Sequence, residues 1–436
     1  MKLNYKRTIL VGFAFMAISA FWQMYDTIIP LILKYTFNLK ETISGVVMGA
    51  DNLLAVFLLP AFGVMSDRCQ SKLGRRRPYI FIGTILSVIF MMLLTFFDHP
   101  DKLALFMIVL FFLLLSMSLY RSPAVALMPD LTPTPLLSQG NAVINLMGAV
   151  GYIVTLVLIK FLGGEPQNRP SYVPLFAAIA GLMILSIVVL AIFIDERKLV
   201  VKVKEECDAA GVTIGDPEQS GNKDGRPMAA IRSLAPNVRK SFLMILFSVA
   251  FWYFAYNAVT SAFSRYAIEV WKMDSNYADC LLVASVVAVA SYLPIGIISG
   301  KLGRKKVILI GVVAMFISYV CLFFYANYHV SAVIFFAIIG FGWAAINVNS
   351  LPMVVSMCDA GDIGQFTGIY YTFSMSAQVL TPILSGALLQ YVSYRTLFVY
   401  SAFFMVCAFI TMCFVHHGDS KPTAKKNLLE HFDVED

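Results

Sequence analysis

Charge is scarce in this chain. Asp, Glu, Lys and Arg together make up 14% of its 436 residues, where a soluble domain carries roughly 25%. Too little charge is available to cover a water-facing surface of this size. The apolar stretches also lack the polar stripe, repeating every 3.6 residues, that a surface helix shows. Histidine is rare: the five stand at positions 99, 329, 416, 417 and 431, outside the apolar runs or at their ends, which excludes a histidine relay within them. The seven Cys show no CxxC or other metal spacing and read as small apolar residues or free thiols. No HExxH, GxSxG or other clustered nucleophile or metal set is present, so the sequence argues against an enzyme, a cofactor and a resident metal. No short loop repeats in the manner of a channel filter. No small-x-small cleavage site follows the first apolar run, which is too long for a signal h-region and rich in aromatics near its end, so it reads as a retained helix.

What the chain has instead is apolar length. It is 59% hydrophobic, with mean hydropathy +0.77, and a helix needs roughly 20 apolar residues to cross a bilayer. Twelve such runs are expected, over about 8–33, 44–66, 79–97, 104–127, 139–162, 173–194, 241–263, 276–299, 307–326, 330–357, 364–392 and 395–415. With an even number of spans both termini share a side. That side holds 24 of the 33 Lys and Arg, which predicts that it is cytoplasmic. The formal net charge of +7 then needs no nucleic-acid partner, and no aromatic-interleaved basic patch accompanies it.

The chain divides near its middle. Residues 195–240 are polar, glycine-bearing and charged and read as a cytosolic linker. The expected organisation is a six-helix bundle over 1–194, the linker, a second six-helix bundle over 241–415 and a cytosolic tail over 416–436. Two loops correspond, each after the second span of its half. The first reads Gly63-x-x-x-Asp67-Arg68, then Gly74-Arg75-Arg76; the second reads Gly296-x-x-x-Gly300-Lys301-x-Gly303-Arg304-Lys305. Matching loops in a six-plus-six chain point to a duplicated carrier with pseudo-twofold symmetry. In the first loop a carboxylate at Asp67 has Arg68 and Arg75 in reach, and Gly63 and Gly74 allow close helix approach and a sharp turn. Such a charge lock is a bistable element, able to hold one state and release it. The second loop has Gly300 where the first has Asp67, so a weaker lock is expected there.

Charges inside spans are costly and functional by default. Asp26 in the first span, Asp51 in the second and Arg121 in the fourth stand out. Chain direction sets both acids about 10 Å from the outer ends of their helices at 1.5 Å per residue and Arg121 in the inner half, a separation at which straight helices do not pair them, unless Pro123 kinks the fourth span locally. Trp22, Tyr25 and Asp26 share one helix face, an arrangement suited to a sugar: rings stack on C–H faces and the acid accepts from hydroxyls. The alternative for the two aromatics is an interfacial belt, and for Asp51 a structural partner for nearby backbone. Further polar residues repeat in both halves: Asn141 and Asn145 in span 5; Trp252, Tyr256, Asn257 and Thr260 in span 7; Trp343, Asn347 and Asn349 in span 10; Tyr371, Ser374 and Gln378 in span 11. Each can line a hydrated cavity or make a helix–helix hydrogen bond.

The Gly63–Arg76 loop resembles the signature loop of the major facilitator superfamily. Its five residues between Asp67-Arg68 and Gly74, with Pro78 after the arginines, are similar to the glycoside–pentoside–hexuronide cation symporters and the related plant sucrose and animal proton–sugar carriers. The stretch from Tyr120 to Gly151, with Arg121, an Asp-Leu at 130–131 and Asn141-Ala142, is similar to their fourth-to-fifth span region. The resemblance implies an all-α membrane fold of twelve helices in two pseudo-symmetric six-helix bundles around a central cavity. It also implies a cytoplasmic gate at Gly63, Asp67, Arg68, Gly74, Arg75 and Arg76. The chain departs from those families in two places. Residues 105–119 hold no acid ahead of Arg121, and Ala55 to Leu59 are all apolar. A coupling carboxylate is therefore expected at Asp26 or Asp51.

The function expected is a secondary active transporter of the cell membrane, working as a monomer by alternating access. It would couple proton or sodium entry to symport of a sugar or glycoside. The expected substrate-binding residues are Trp22, Tyr25, Asp26, Arg121, Asn141, Asn145, Tyr256, Asn257, Trp343, Asn347 and Gln378. The competing expectation is a proton-coupled drug or small-solute antiporter, which would favour a more apolar cavity.

Overall fold

The computed structural model describes residues 4–133, 137–209, 234–273, 276–357 and 363–419. Among them lie thirteen α-helices. They are α1 (Tyr5–Tyr35), α2 (Glu41–Asp67), α3 (Arg77–Phe96), α4 (Leu103–Asp130), α5 (Leu137–Leu162), α6 (Val173–Phe193), α7 (Glu196–Ala209), α8 (Pro236–Glu269), α9 (Tyr277–Leu302), α10 (Arg304–Phe323), α11 (Ala332–Val355), α12 (Ile363–Tyr391) and α13 (Thr396–Cys413). All but α7 are long and apolar enough to cross a bilayer, giving the twelve spans. Residues 1–216 with 274–279 form one compact unit, and residues 217–273 with 280–436 the other.

Several helices overrun the expected limits because the polar residues at their ends still continue the turn. The seventh span is the largest case: α8 runs to Glu269, which takes Arg265 into the helix, 1% exposed. Composition alone places that arginine in a loop. Part of the expected linker is also ordered helix, since α7 fills 196–209, while residues 210–233 lie outside those described.

The packing is that of a protein in lipid. On α3, Ile82, Ile85, Ile89 and Phe96 face outward, while Gly83, Thr84, Ser87 and Met91 are buried. Small residues inside let helices approach closely where apolar contact brings no gain over lipid tails. Buried hydroxyls are satisfied mainly by their own helices, as Thr84 donates to the carbonyl of Ile80 and Ser87 to that of Gly83, both at 2.7 Å. A few cross between helices. Tyr120 of α4 donates to the Ala14 carbonyl of α1 at 2.7 Å, and in the second unit Ser401 of α13 donates to the Ala255 carbonyl of α8 at 3.0 Å.

Candidate functional site

The first unit gathers its intramembrane charges around α1. Asp26 stands nine residues before the end of α1 and Asp51 ten after the start of α2, about 14 Å from the helix ends at 1.5 Å per residue, deeper than expected. Arg121 stands nine residues before the end of α4. Among the described residues Arg121 makes no ion pair with either acid, yet Asp26, Asp51 and Arg121 lie close enough for their charges to act on one another. The Arg121 guanidinium carbon lies 5.6 Å from the centre of the Trp22 ring, a cation–π contact worth about 0.5–2 kcal/mol. Trp22 meets Tyr25 edge to face at 5.4 Å, and Asp26 follows on the chain. Arg121, Trp22, Tyr25 and Asp26 therefore form one continuous run.

The run holds unused donors. The Trp22 ring N–H and the Tyr25 hydroxyl are buried and find no hydrogen-bond partner among the described residues. Buried donors left unpaired cost roughly 1–3 kcal/mol each, so such a pair marks a place where a ligand or water completes the structure. Pro30 of the same helix has no N–H to give the carbonyl of Asp26, which frees another polar atom at this level. Asp51 is 7% exposed and accepts from the Asn52 amide at 2.9 Å. Tyr152 of α5 also feels the charge of Asp26. Nothing in its local sequence pointed to that, because its neighbours are apolar. Asn145 is exposed, and the side chain of Asn141 lies outside those described.

The second unit offers rings and amides. Tyr256 and Trp343 stack face to face with centroids 3.7 Å apart, and Tyr253 meets Trp343 edge-on at 5.3 Å. Tyr253 also hydrogen-bonds to Tyr370, whose hydroxyl lies 2.9 Å from Ser350 Oγ. The Asn257 amide nitrogen and the Trp252 ring nitrogen are buried without a partner among the described residues. Asn347 and Gln378 are half-buried. Three expected polar residues are occupied locally. Asn349 donates to the Ala345 carbonyl at 2.8 Å, Ser374 to that of Tyr371 at 3.0 Å and Thr260 to that of Asn257 at 3.3 Å.

The loop between α2 and α3 is held by two acids that motif reading did not single out as its partners. The Arg76 guanidinium donates to Asp130 at the end of α4 at 2.9 Å and to Ser66 Oγ at 2.6 Å, and Arg75 lies 3.6 Å from the same Asp130. Glu196 accepts the backbone N–H groups of Arg75, Arg76 and Arg77 at 2.7, 3.1 and 3.0 Å, so one carboxylate closes the start of α3, where it also meets the positive end of the helix dipole. Gly74 makes this possible. Its φ is +113°, and a Cβ there would overlap the Glu196 carboxylate. Gly63 is one of the close approaches, with Ser122 Oγ 3.2 Å from where a Cβ would stand. Arg68 is exposed at the end of α2, and the side chain of Asp67 lies outside those described.

The second loop, lacking an acid at Gly300, takes one from the tail. Gly303 has φ +90°, and a Cβ there would stand 3.1 Å from the Asp419 carboxylate, which accepts from the Lys305 N–H at 3.2 Å. Both halves thus rest an acid that follows their sixth span on a left-handed glycine, a likeness that required no matching motif around the acids.

Twelve apolar spans, a half-buried charge run among them and a charged loop repeated in each half define a membrane transporter rather than an enzyme. The sequence pattern of the Major Facilitator Superfamily matches residues 11–287 and 275–432, and the chain belongs to that superfamily. It is 28% identical over 138 residues to the sucrose transport protein SUC3 of Arabidopsis thaliana, a match taking in 27% of this chain and 23% of that relative's length. Among solved structures it resembles the nucleoside transporter NupG (TM-score 0.68, 14% identity, 94% and 99% of the two chains). It also resembles a POT family transporter in complex with 5-aminolevulinic acid (TM-score 0.68, 13% identity, 93% and 94%). At these identities the likeness is one of fold.

Proposed function

We propose that the chain is a cation-coupled symporter of a sugar or glycoside, resident in the plasma membrane with both termini cytoplasmic and working by alternating access. The observation that carries this reading is the run from Arg121 across Trp22 and Tyr25 to Asp26, with its two unpartnered buried donors. A polyhydroxyl solute suits both of its ends. Hydroxyl protons go to the Asp26 carboxylate, and hydroxyl oxygens accept from Arg121, Trp22 and Tyr25. The matching set in the second half is Tyr256, Asn257, Trp343, Asn347 and Gln378, with Asn141 and Asn145 completing the first. The partial likeness to a plant protein named for sucrose transport supports the same solute class.

Asp26 is assigned the coupling role, with Asp51 as the alternative. Neutralising a half-buried intramembrane carboxylate removes the cost of carrying its charge through the rocking step, and a solute touching the same group makes ion and sugar binding reciprocal. Gly63, Asp67, Arg68, Gly74, Arg75 and Arg76 form the cytoplasmic gate, with Asp130 and Glu196 as its further acids. The deciding experiment compares counterflow with gradient-driven uptake in proteoliposomes across a panel of sugars. Asp26→Asn should abolish uphill accumulation under a pH or sodium gradient while preserving exchange. Continued accumulation by that variant moves the coupling role to Asp51, and wild-type protein that carries no sugar in either assay overturns the reading.

A further inference from the structure

The helix α7 follows the sixth span after two residues and is fixed at both ends. At its start Glu196 closes the beginning of α3. Near its end Glu206 pairs with Arg7 of α1 at 3.8 Å. Its 14 residues make about 21 Å of helix, so it forms a bar between the cytoplasmic ends of α3 and α1. Glu196, Val203 and Cys207 are buried on the face toward the bundle. The opposite face carries Arg197, Lys198, Lys202 and Lys204, all exposed, beside the exposed Glu205, and in its middle Val201 is 58% exposed.

Exposed apolar side chains of the sixth span precede this face in the chain. The last turn of α6 ends in Ile192 and Phe193, 68% and 58% exposed. Arg77 at the start of α3 donates to the Ala191 carbonyl at 3.0 Å, binding the start of α3 to the end of α6 just ahead of α7 in the chain. The cations of α7 therefore begin four residues after Phe193, the last exposed apolar side chain of α6. Lys198 has an exposed partner in Asp195 at 3.2 Å, a pair that adds little and yields readily to a stronger anion.

We propose that this face of α7 is a binding site for anionic phospholipid headgroups of the cytoplasmic leaflet, with Arg197, Lys198, Lys202 and Lys204 taking the phosphates and Val201 resting on the acyl boundary. Clustered cations beside a span are drawn to an anionic leaflet, and an apolar residue among them adds the contact that separates a membrane-seated helix from a solvated one. The site does not depend on which solute is carried.

The test uses the full chain in phosphatidylcholine bilayers containing a minority of phosphatidylglycerol. The readouts are the phosphatidylglycerol retained on detergent extraction, measured by mass spectrometry, and the melting temperature. Wild-type protein should retain phosphatidylglycerol in clear excess over its bulk share and melt higher when it is present, both effects fading as salt rises. The variant R197Q/K198Q/K202Q/K204Q should lose the excess about tenfold, as the loss of several cations at an anionic surface implies. The charge-keeping variant K198R/K202R/K204R should retain it. Should the fourfold variant fail to fold, K202Q/K204Q gives the same comparison with a partial loss. Equal retention by neutralised and wild-type protein overturns the proposal. So does equal stabilisation by soluble glycerol phosphate, which would assign the face to a free anion.

Discussion

At the scale of single residues, position on a helix and position in space part company. Asp26 and Arg121 are each recognisable as costly intramembrane charges from their apolar neighbours alone. That the Arg121 guanidinium lies over Trp22 is not recognisable, because it depends on the rotation of α4 against α1. Hydrophobic periodicity is too weak in spans that are apolar all round to report that rotation. The contact is testable. Arg121→Lys keeps the charge but loses the planar stack and the fork of donors, and substrate affinity should fall about tenfold. Quenching of tryptophan fluorescence on sugar addition reads this directly, and unchanged affinity would count against the run as a binding surface.

Asp98, between α3 and α4, tests burial outside the spans. One of its carboxylate oxygens is buried without a partner among the described residues, and burial holds its pKa above the ordinary carboxylate range, against a smaller opposing effect of a hydrogen bond from Thr36. The folded protein therefore binds a proton more tightly than the unfolded chain. Stability should fall as pH rises from the ordinary carboxylate value through the raised one. Asp98→Asn should melt higher than wild type at neutral pH and show a flatter pH dependence. A wild-type melting temperature that rises with pH through this range would contradict it.

At the scale of elements, the twelve spans are legible because a bilayer demands a minimum apolar length. Their ends are less so, since polar residues such as Arg265 continue a helix once neighbours cover them. The closure of α3 by Glu196 lies beyond sequence reading, for the two are about 120 residues apart and the acid sits in a stretch that composition assigns to a linker. Glu196→Gln weakens three charge-assisted hydrogen bonds and should cost about 1–3 kcal/mol. Gly74→Ala adds left-handed strain and overlap with the same carboxylate and should cost at least about 1 kcal/mol. Melting temperatures of the purified variants check both. A Glu196→Gln protein as stable as wild type would show that water replaces the cap.

At the scale of the whole molecule, the six-plus-six organisation was readable because the loops after the second and eighth spans echo one another. Less visible was how unequally the halves are equipped. Asp26, Asp51 and Arg121 all lie in the first, whereas the second buries Arg265 near the end of α8 and its polar residues singled out for the site are neutral. Orientation is open to direct measurement. A cysteine introduced between residues 210 and 225 should resist a membrane-impermeant maleimide in intact cells and react once the membrane is opened. Labelling from outside alone would reverse the assigned sidedness.

The way Asp419 rests on Gly303 limits where this polypeptide can be shortened. All twelve spans are complete by Cys413, and a stop codon just beyond would appear harmless from hydropathy. Yet the next few residues are a fastening strap. His417 meets Ser241 at 2.9 Å, the Gly418 carbonyl accepts from Ser356 at 2.9 Å and Asp419 takes the Lys305 N–H. They draw the starts of α8 and α10 and the end of α11 onto one short segment. A fusion partner or purification tag can be joined after residue 419 with this strap intact, but one joined at residue 414 would unbuckle three helices at once.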